Sequence, residues 1–182
     1  MKLSTAIKPV VVAALLSASS FAGASTPREQ ISEVLASYEA KFTKADLLAL
    51  SPDAEAIVAD LLADEHTWLF VRSRALSTLS MFPSEQNLTR TLAVLQQNNP
   101  LLRQYAAMLL GRVWAKTFPD RVLAPLNQAL ADQDMMVRRY AVRSLAAVGS
   151  APALQALRQR LAVEPHAEVA HLIETQLNRR LP

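Results

Sequence analysis

The sequence predicts an all-α protein, a right-handed α-solenoid of antiparallel helix pairs. One helical segment recurs at 71–79, 102–110, 137–145 and, in weaker form, at 169–177. Equivalent positions in these copies are 31, 35 and 32 residues apart, and a period in that range is typical of stacked helix pairs. No segment has the strict apolar–polar alternation of a half-buried strand. Each pair has too little core alone, so neighbouring pairs must bury each other's apolar faces.

Residues 1–24 are predicted to be a secretory signal and not part of the fold. Lys2 and Lys8 provide a basic start, an apolar run covers 10–16, and an Ala-Gly-Ala motif at 22–24 forms a small-residue cleavage site. The apolar run is shorter than the roughly 20 residues that span a bilayer. This pattern predicts a periplasmic or secreted protein. The chain has no cysteine, which excludes disulfides and thiolate metal sites.

Residues 25–50 are predicted to form an N-terminal helical cap. Thr26 and Pro27 suit a helix start, because the first turn tolerates a residue without an N–H. A short second segment around Asp46 leads onward. The apolar positions of the first helix have helical spacing: Ile31, Val34, Leu35, Tyr38 and Phe42.

Residues 51–182 are predicted to form the solenoid, with a capping helix at its C-terminal end. Ser51 and Pro52 are expected to begin its first helix. Pro125 is expected to kink or restart a helix, since it cannot donate to the preceding turn, whereas Gly149 is suited to end one. Further helix starts are expected at Ser84, Asn99, Phe118, Asp134, Pro152 and Pro165.

The third copy of the repeat is the most complete, with Asp132, Asp134, Val137, Arg138, Ala141, Leu145 and Gly149. It resembles the HEAT-like repeats named after phycobilisome lyases, which place an Asp before the turn and then a Val-Arg, an Ala and a Leu on the next helix. The first copy has Asp64 but two extra residues before Arg72, the second has Gln97 in place of the Asp, and the fourth lacks both Asp and Arg. Such solenoids are mostly binding scaffolds, so the resemblance indicates a fold more than a function.

The resemblance implies anchor residues that connect one repeat to the next. Asp132 is expected to lie near Arg138, as a pair that can form two hydrogen bonds across a turn. Truncation of Arg138 is expected to loosen the stack. The anchors are Arg72, Arg103, Asp132 and Arg138, together with Ala75, Ala106 and Ala141.

Charge is distributed unevenly along the chain. Without Lys2 and Lys8, the chain has 17 basic and 16 acidic residues, a net charge of +1. Residues 25–65 contain 3 basic and 9 acidic residues, and residues 66–182 contain 14 basic and 7 acidic ones. An export signal and a net charge near zero argue against a nucleic-acid partner. The basic half leaves open an electrostatic attraction to a partner.

No catalytic motif is found: the chain has no Gly-rich phosphate loop, nucleophile elbow or H-E-x-x-H pair. Glu168 and His171 share a helix face and could supply two metal ligands, but a structural zinc site needs four. The acidic residues at 53–65 are interpreted as a solvated surface, since catalytic carboxylates need burial or enforced proximity. We therefore predict no catalytic residue, metal or cofactor.

Partner-binding residues are predicted from exposure and from the resemblance. Trp68 lies in the irregular insertion and is the aromatic residue most expected to contact a partner. Tyr105 and Tyr140 occupy equivalent positions, where they would either form an aromatic stripe along one face or pack their rings between repeats. In family members the second helix of each pair lines the inner face, and long polar side chains there would suit an acidic or extended protein segment. The residues assigned to that face are Arg90, Arg121, Gln128 and Arg158, with Gln86, Gln97 and Gln155.

These observations predict an exported, non-catalytic scaffold that binds a protein partner. One alternative is an enzyme, or an accessory subunit of one, with a site in the groove. Another is a protein held to an anionic membrane surface by its basic C-terminal half, although membrane contact is the less favoured prediction.

Overall fold

The computed structural model describes residues 25–179, so the predicted signal sequence lies outside the described residues. Over this range the chain forms ten helices and no strand, which confirms the all-α prediction. The sixth helix continues through a π-helical stretch (Leu110–Trp114) and a last α-helical turn (Ala115–Thr117). The helices are α1 (Pro27–Ala36), α2 (Lys44–Leu50), α3 (Ala54–Ala63), α4 (Leu69–Leu79), α5 (Glu85–Val94), α6 (Pro100–Leu109), α7 (Pro119–Ala129), α8 (Met135–Val148), α9 (Ala151–Leu161) and α10 (Ala167–Asn178).

The chain divides into two compact units, one up to Ala75 and one from Leu76 onward. In the first unit α1 packs against α2 and α3. Thr26 begins α1 as predicted, because its hydroxyl accepts from the Glu29 N–H while the Glu29 carboxylate accepts from the Thr26 N–H. The core of this unit consists of Ile31, Val34, Leu35, Leu47, Val58, Leu61 and Leu62.

The first helix is shorter than its apolar pattern predicted. α1 ends at Ala36 and does not reach Phe42. Ser37 adopts an extended backbone (φ −74°, ψ 121°) and its N–H donates to the carbonyl of Glu33, which closes the helix. Tyr38 therefore lies outside the helix and is 80% exposed.

The prediction that Ser51 starts a helix is wrong. Ser51 closes α2 and does not start α3: its N–H donates to the carbonyl of Leu47, and its hydroxyl accepts from the N–H of Asp53. Pro125 does not restart α7, which runs through it, and the alternative that it kinks the helix stays a prediction. The carbonyl of Arg121 loses its usual intrahelical donor at this point.

In the second unit, α8 is the central helix. It packs between α6 and α10, and these three helices form one layer. α7 and α9 pack on this layer, and α5 packs against α6. The fully buried side chains of this unit include Leu88, Leu102, Leu110, Leu126, Val137, Leu145, Leu157 and Ile173.

Side-chain caps fix most helix starts of the second unit. As predicted, Ser84, Asn99 and Asp134 accept hydrogen bonds from N–H groups of the first turns of α5, α6 and α8. Gly149 ends α8 with a left-handed backbone (φ 66°), as its sequence position predicted. Ser150 is the N-cap of α9, which places Pro152 inside the first turn.

The π-helical stretch brings α6 and α8 into close approach. A Cβ atom added to Gly111 would overlap the Cβ and Oγ atoms of Ser144. The Ser144 hydroxyl donates to the carbonyl of Ala107 at 2.7 Å, in a buried position. Gly111 is therefore required by packing, and a hydrogen bond between helices accompanies that packing.

Candidate functional site

Arg103 connects two successive helix pairs of the second unit. Its Nε and Nη2 atoms donate to the Asp132 carboxylate, both at 2.8 Å. Its Nη1 atom donates to the carbonyls of Gln97 and Asn98, at the end of the preceding turn. The Arg103 side chain is only 7% exposed, so the pair is an interior connection between repeats.

The predicted pairing of Asp132 with Arg138 is wrong. Arg138 donates through Nε and Nη2 to the carboxylate of Glu164, and through Nη1 to the main-chain carbonyls of Asp132 and Gln133. Each arginine side chain thus donates to main-chain carbonyls in the turn before its own helix and to a carboxylate in the corresponding turn of the next helix pair. The predicted connection between repeats is present, but the carboxylate partner comes from the next repeat and not from the same one.

Glu164 supplies the carboxylate of the fourth copy, where the sequence shows neither Asp nor Arg. It lies six residues before Ala170, the same separation as Asp132 from Arg138. Its carboxylate also accepts from Arg160 at 2.7 Å and from the N–H of His166 at 3.1 Å. The Glu164 side chain is fully shielded from solvent.

Both interior carboxylates are held in the charged form. Burial, the largest single influence, raises the pKa of Asp132, but hydrogen bonds from Arg103 and from the N–H of Asp134 outweigh it and the pKa is lowered. For Glu164, burial likewise raises the pKa, while hydrogen bonds from Arg138, Arg160 and the His166 main chain give a net lowering. These groups are structural ion-pair partners.

The other predicted anchors are also interior or paired. In the first unit the Arg28 side chain donates to Asp64 at 2.6 Å, and the Nε atom of Arg72 donates to the carbonyl of Leu62. The alanine anchors are Ala75, Ala106 and Ala141, each 0% exposed. A larger side chain at these three positions would have no room.

The solvent side of the α6–α8 contact carries a groove. A cleft of about 90 Å³ and one of about 220 Å³ adjoin, because Met108 and Tyr140 line both. Gly111 and Ser144 also line the larger cleft, so the close helix approach forms part of it. The α6–α8 groove is lined by Leu101, Gln104, Tyr105, Met108, Gly111, Arg112, Tyr140, Arg143, Ser144 and Ala147.

The groove combines apolar surface with positive charge. Residues 100–117 and 135–148 contain no Asp or Glu. Arg112 and Arg143 are exposed at the larger cleft, and the Arg143 guanidinium lies 5.8 Å from the Tyr140 ring centroid. Arg139 lies on the α10 side, with its Nη1 atom 3.7 Å from the carboxylate of Glu168. The surface is therefore cationic beside an apolar cleft.

The residues assigned to the inner face lie on other helices. Arg90, Arg121, Gln128 and Arg158 lie on α5, α7 and α9. These helices follow α4, α6 and α8, which contain the first three copies of the repeated segment, and their assignment to an inner face stays a prediction. Arg121 forms an exposed pair with Glu85 at 3.0 Å, and Gln128 lines a separate cleft of about 280 Å³. Their predicted role in binding stays a prediction.

Trp68 lies in an exposed aromatic cluster of the first unit. It is 62% exposed, and its ring centroid is 5.1 Å from that of Phe70. Phe70 in turn stacks on Tyr38 at 4.7 Å, and Arg74 lies over the rings of Phe42 and Phe70. The prediction that Trp68 contacts a partner stays a prediction, and its exposure is compatible with that role.

The two side chains considered as metal ligands, Glu168 and His171, have different neighbours. Glu168 faces Arg139, and His171 lies 3.9 Å from Glu174. Within 25–179, no group of three or more His, Asp or Glu residues is arranged to hold a metal ion. Over the same range, no helix is both long enough and apolar enough to cross a bilayer.

Sequence reasoning singled out Tyr105 and Tyr140 but missed Met108, Arg112 and Arg143. The sequence did contain an indication of this surface, because residues 100–117 and 135–148 lack Asp and Glu within a chain of near-neutral charge. The two segments could not be recognised as the walls of one groove before the packing of α6 against α8 was known. The second unit therefore presents a structural ion-pair network inside and a cationic, partly apolar groove outside.

Comparison with known proteins supports the repeat architecture. No curated protein matches the sequence. The chain is similar to human deoxyhypusine hydroxylase in complex with glycerol, with 25% identity and a TM-score of 0.58, covering 69% of this chain and 43% of that one. It is also similar to a chain from the complex of CpcE and CpcF of phycocyanin lyase from Nostoc sp. PCC7120, with 17% identity and a TM-score of 0.59, covering 82% of this chain and 96% of that one.

The family model for HEAT repeats matches residues 88–178, half of the 182 residues. This range begins in α5 and ends with α10, so it contains the three helix pairs of the second unit, and it includes both arginine–carboxylate connections. Together with the similarity to a phycocyanin lyase structure, it confirms the resemblance that the repeated segments indicated. The chain belongs to the HEAT repeat family.

Proposed function

We propose that this chain is an exported, non-catalytic scaffold that binds a protein partner in the α6–α8 groove. The observation that carries this proposal is the groove itself: two adjoining clefts, apolar and aromatic residues, and two exposed arginines on a pair of packed helices. Interfaces are enriched in Tyr, Met and Arg relative to other surfaces, and all three residue types line this groove. Export rests on the basic and apolar N-terminal sequence.

An enzyme remains the second candidate, because a hydroxylase is among the similar structures. That similarity covers less than half of the hydroxylase chain, and fold similarity alone does not transfer an activity. The interior residues Arg103, Asp132, Arg138 and Glu164 are all engaged with one another or with main-chain carbonyls. This arrangement favours a structural role over catalysis.

Site-specific photocrosslinking in the native cells tests the proposal. Benzoylphenylalanine would replace Met108 or Tyr140 in the groove and, as controls, Gln128 or Arg158 on the other layer. We expect a discrete adduct from the groove positions, in the envelope or secreted fraction, and none from the controls. Adducts from the control positions alone would contradict the groove and favour the surface assigned from the sequence. Absence of adducts at every position would contradict the scaffold function.

A further inference from the structure

We propose that the α6–α8 groove recognises an extended acidic segment of its partner, in which an apolar side chain and a carboxylate lie about three residues apart. This inference rests on the proposed function and specifies the chemistry of the partner.

The groove has two compartments that meet at Tyr140. The smaller cleft is lined by Leu101, Tyr105 and Met108, which offer aliphatic and aromatic surface to an apolar side chain. The larger cleft has Arg112 and Arg143, whose guanidinium groups offer donors to a carboxylate. A ligand that uses both must therefore be amphipathic.

The charges at the larger cleft are not neutralised within the described part of the chain. No described carboxylate lies within 4.0 Å of Arg112 or Arg143. By contrast, Arg103 and Arg138 of the same helices are paired with carboxylates. An incoming carboxylate would form charge-assisted hydrogen bonds without displacing an internal partner, whereas a basic segment would be repelled.

The spacing between compartments sets the spacing within the ligand. Tyr105 and Arg112 are seven residues apart, which corresponds to about 10 Å along a helix that rises about 1.5 Å per residue. An extended segment advances about 3.3 Å per residue, so the same distance corresponds to about three of its residues. The orientation of the segment along the groove is set by the order of its apolar and acidic residues.

Fluorescence anisotropy with a labelled peptide tests this inference on the chain from residue 25 to 182. The probe Asp-Ser-Ser-Leu-Ser-Ser-Asp has a carboxylate three residues from the leucine on both sides, so it fits either orientation. Matched peptides replace both Asp by Asn, or the Leu by Ser. We expect each replacement to weaken binding at least about tenfold, as loss of an ion pair or an apolar anchor does at an interface.

Protein variants locate the binding. Arg112→Glu together with Arg143→Glu is expected to weaken peptide binding at least about tenfold, whereas Arg121→Glu together with Arg158→Glu, an equal charge change on α7 and α9, leaves it within about twofold. Arg112, Arg143, Arg121 and Arg158 are all exposed, and thermal melting verifies that the variants remain folded. Equal binding of the Asp and Asn peptides would overturn the inference. So would binding of phosphatidylglycerol vesicles in place of the peptide.

The two proposals fail in different ways. If Met108 crosslinks to a protein in cells but the acidic peptide does not bind, the scaffold stands and the acidic specificity is wrong. If no groove position crosslinks, the proposed function itself is wrong.

Discussion

Arg103 and Asp132 form a two-bonded ion pair between successive helix pairs, with Nε–Oδ2 and Nη2–Oδ1 distances of 2.8 Å. The same arginine also binds two carbonyls of its own turn. Its guanidinium therefore joins an α5–α6 turn to an α7–α8 turn, and the relative position of the two pairs is fixed by geometry as well as by apolar contact.

Removal of Arg103 should destabilise the protein strongly. Arg103→Ala leaves the largely buried Asp132 carboxylate without its main partner, which typically costs about 3–5 kcal/mol. The measurement is the free energy of unfolding in urea. Arg121→Ala is the control, because its pair with Glu85 is exposed and such pairs contribute about 0–1 kcal/mol. Equal losses for the two variants would contradict an interior role for Arg103.

Acid should weaken the fold through Glu164 and Asp132. Their pKa values are lowered in the folded state, from ordinary values of 4.5 and 3.8. A lowered pKa gives stability that is fully present above the ordinary value and is lost as the pH falls through the folded-state value. The midpoint temperature of thermal unfolding should therefore decrease as the pH is lowered below about 4.5.

Glu164→Gln is the matched variant for this acid dependence. It should be less stable than the parent at pH 7, and its midpoint should fall less steeply below pH 4.5, because one titrating carboxylate has been removed. A residual dependence is expected from Asp132. Parallel pH profiles for parent and variant would show that Glu164 does not contribute.

Gly111→Ala should lower stability by about 1–3 kcal/mol, the usual cost of forcing extra volume into a packed interior. The added methyl group overlaps Ser144, so α6 and α8 must separate. Thr117→Ala, at an exposed position later in the same helical stretch, should change stability by no more than about 0.5 kcal/mol. Chemical denaturation measures both, and a neutral Gly111→Ala variant would contradict the close approach.

Trp68 and Trp114 should be distinguishable by fluorescence quenching, since Trp68 is 62% exposed and Trp114 is 0% exposed. Trp68→Phe should leave emission that acrylamide quenches weakly, because only the buried Trp114 remains. Its stability should stay within about 0.5 kcal/mol of the parent, as for most surface changes. Strong quenching in this variant would contradict the burial of Trp114.

The sequence was sufficient for the repeat, the class of fold and most helix ends. Those features depend on local chemistry, such as the caps at Asp134 and Gly149 or the helical spacing around Val137. The partner of Asp132 was not predictable in the same way, because it comes from Arg103, 29 residues earlier. Glu164 was missed for a related reason: a glutamate does not match the aspartate pattern, although its longer side chain reaches the same arginine position.

The groove was harder to predict from the sequence, because it is formed by tertiary packing. Tyr105 and Tyr140 were recognisable as equivalent, but the clefts arise because Gly111 permits α6 to approach Ser144 on α8. No local pattern specifies that approach. Arg112 and Arg143 consequently looked like two scattered surface charges before the packing of α6 against α8 was known.

The connection from Arg138 to Glu164 has a consequence for how such a chain can change in length. The Arg138 guanidinium is 8% exposed in the full chain, and a version shortened to end at Gly149 would remove both the carboxylate that accepts from its Nε and Nη2 atoms and the helices α9 and α10 that pack on α8. Loss of the terminal helix pair therefore exposes the apolar face of α8 as well as breaking an ion pair. A shortened array would need polar residues on the newly exposed face of α8 to remain soluble.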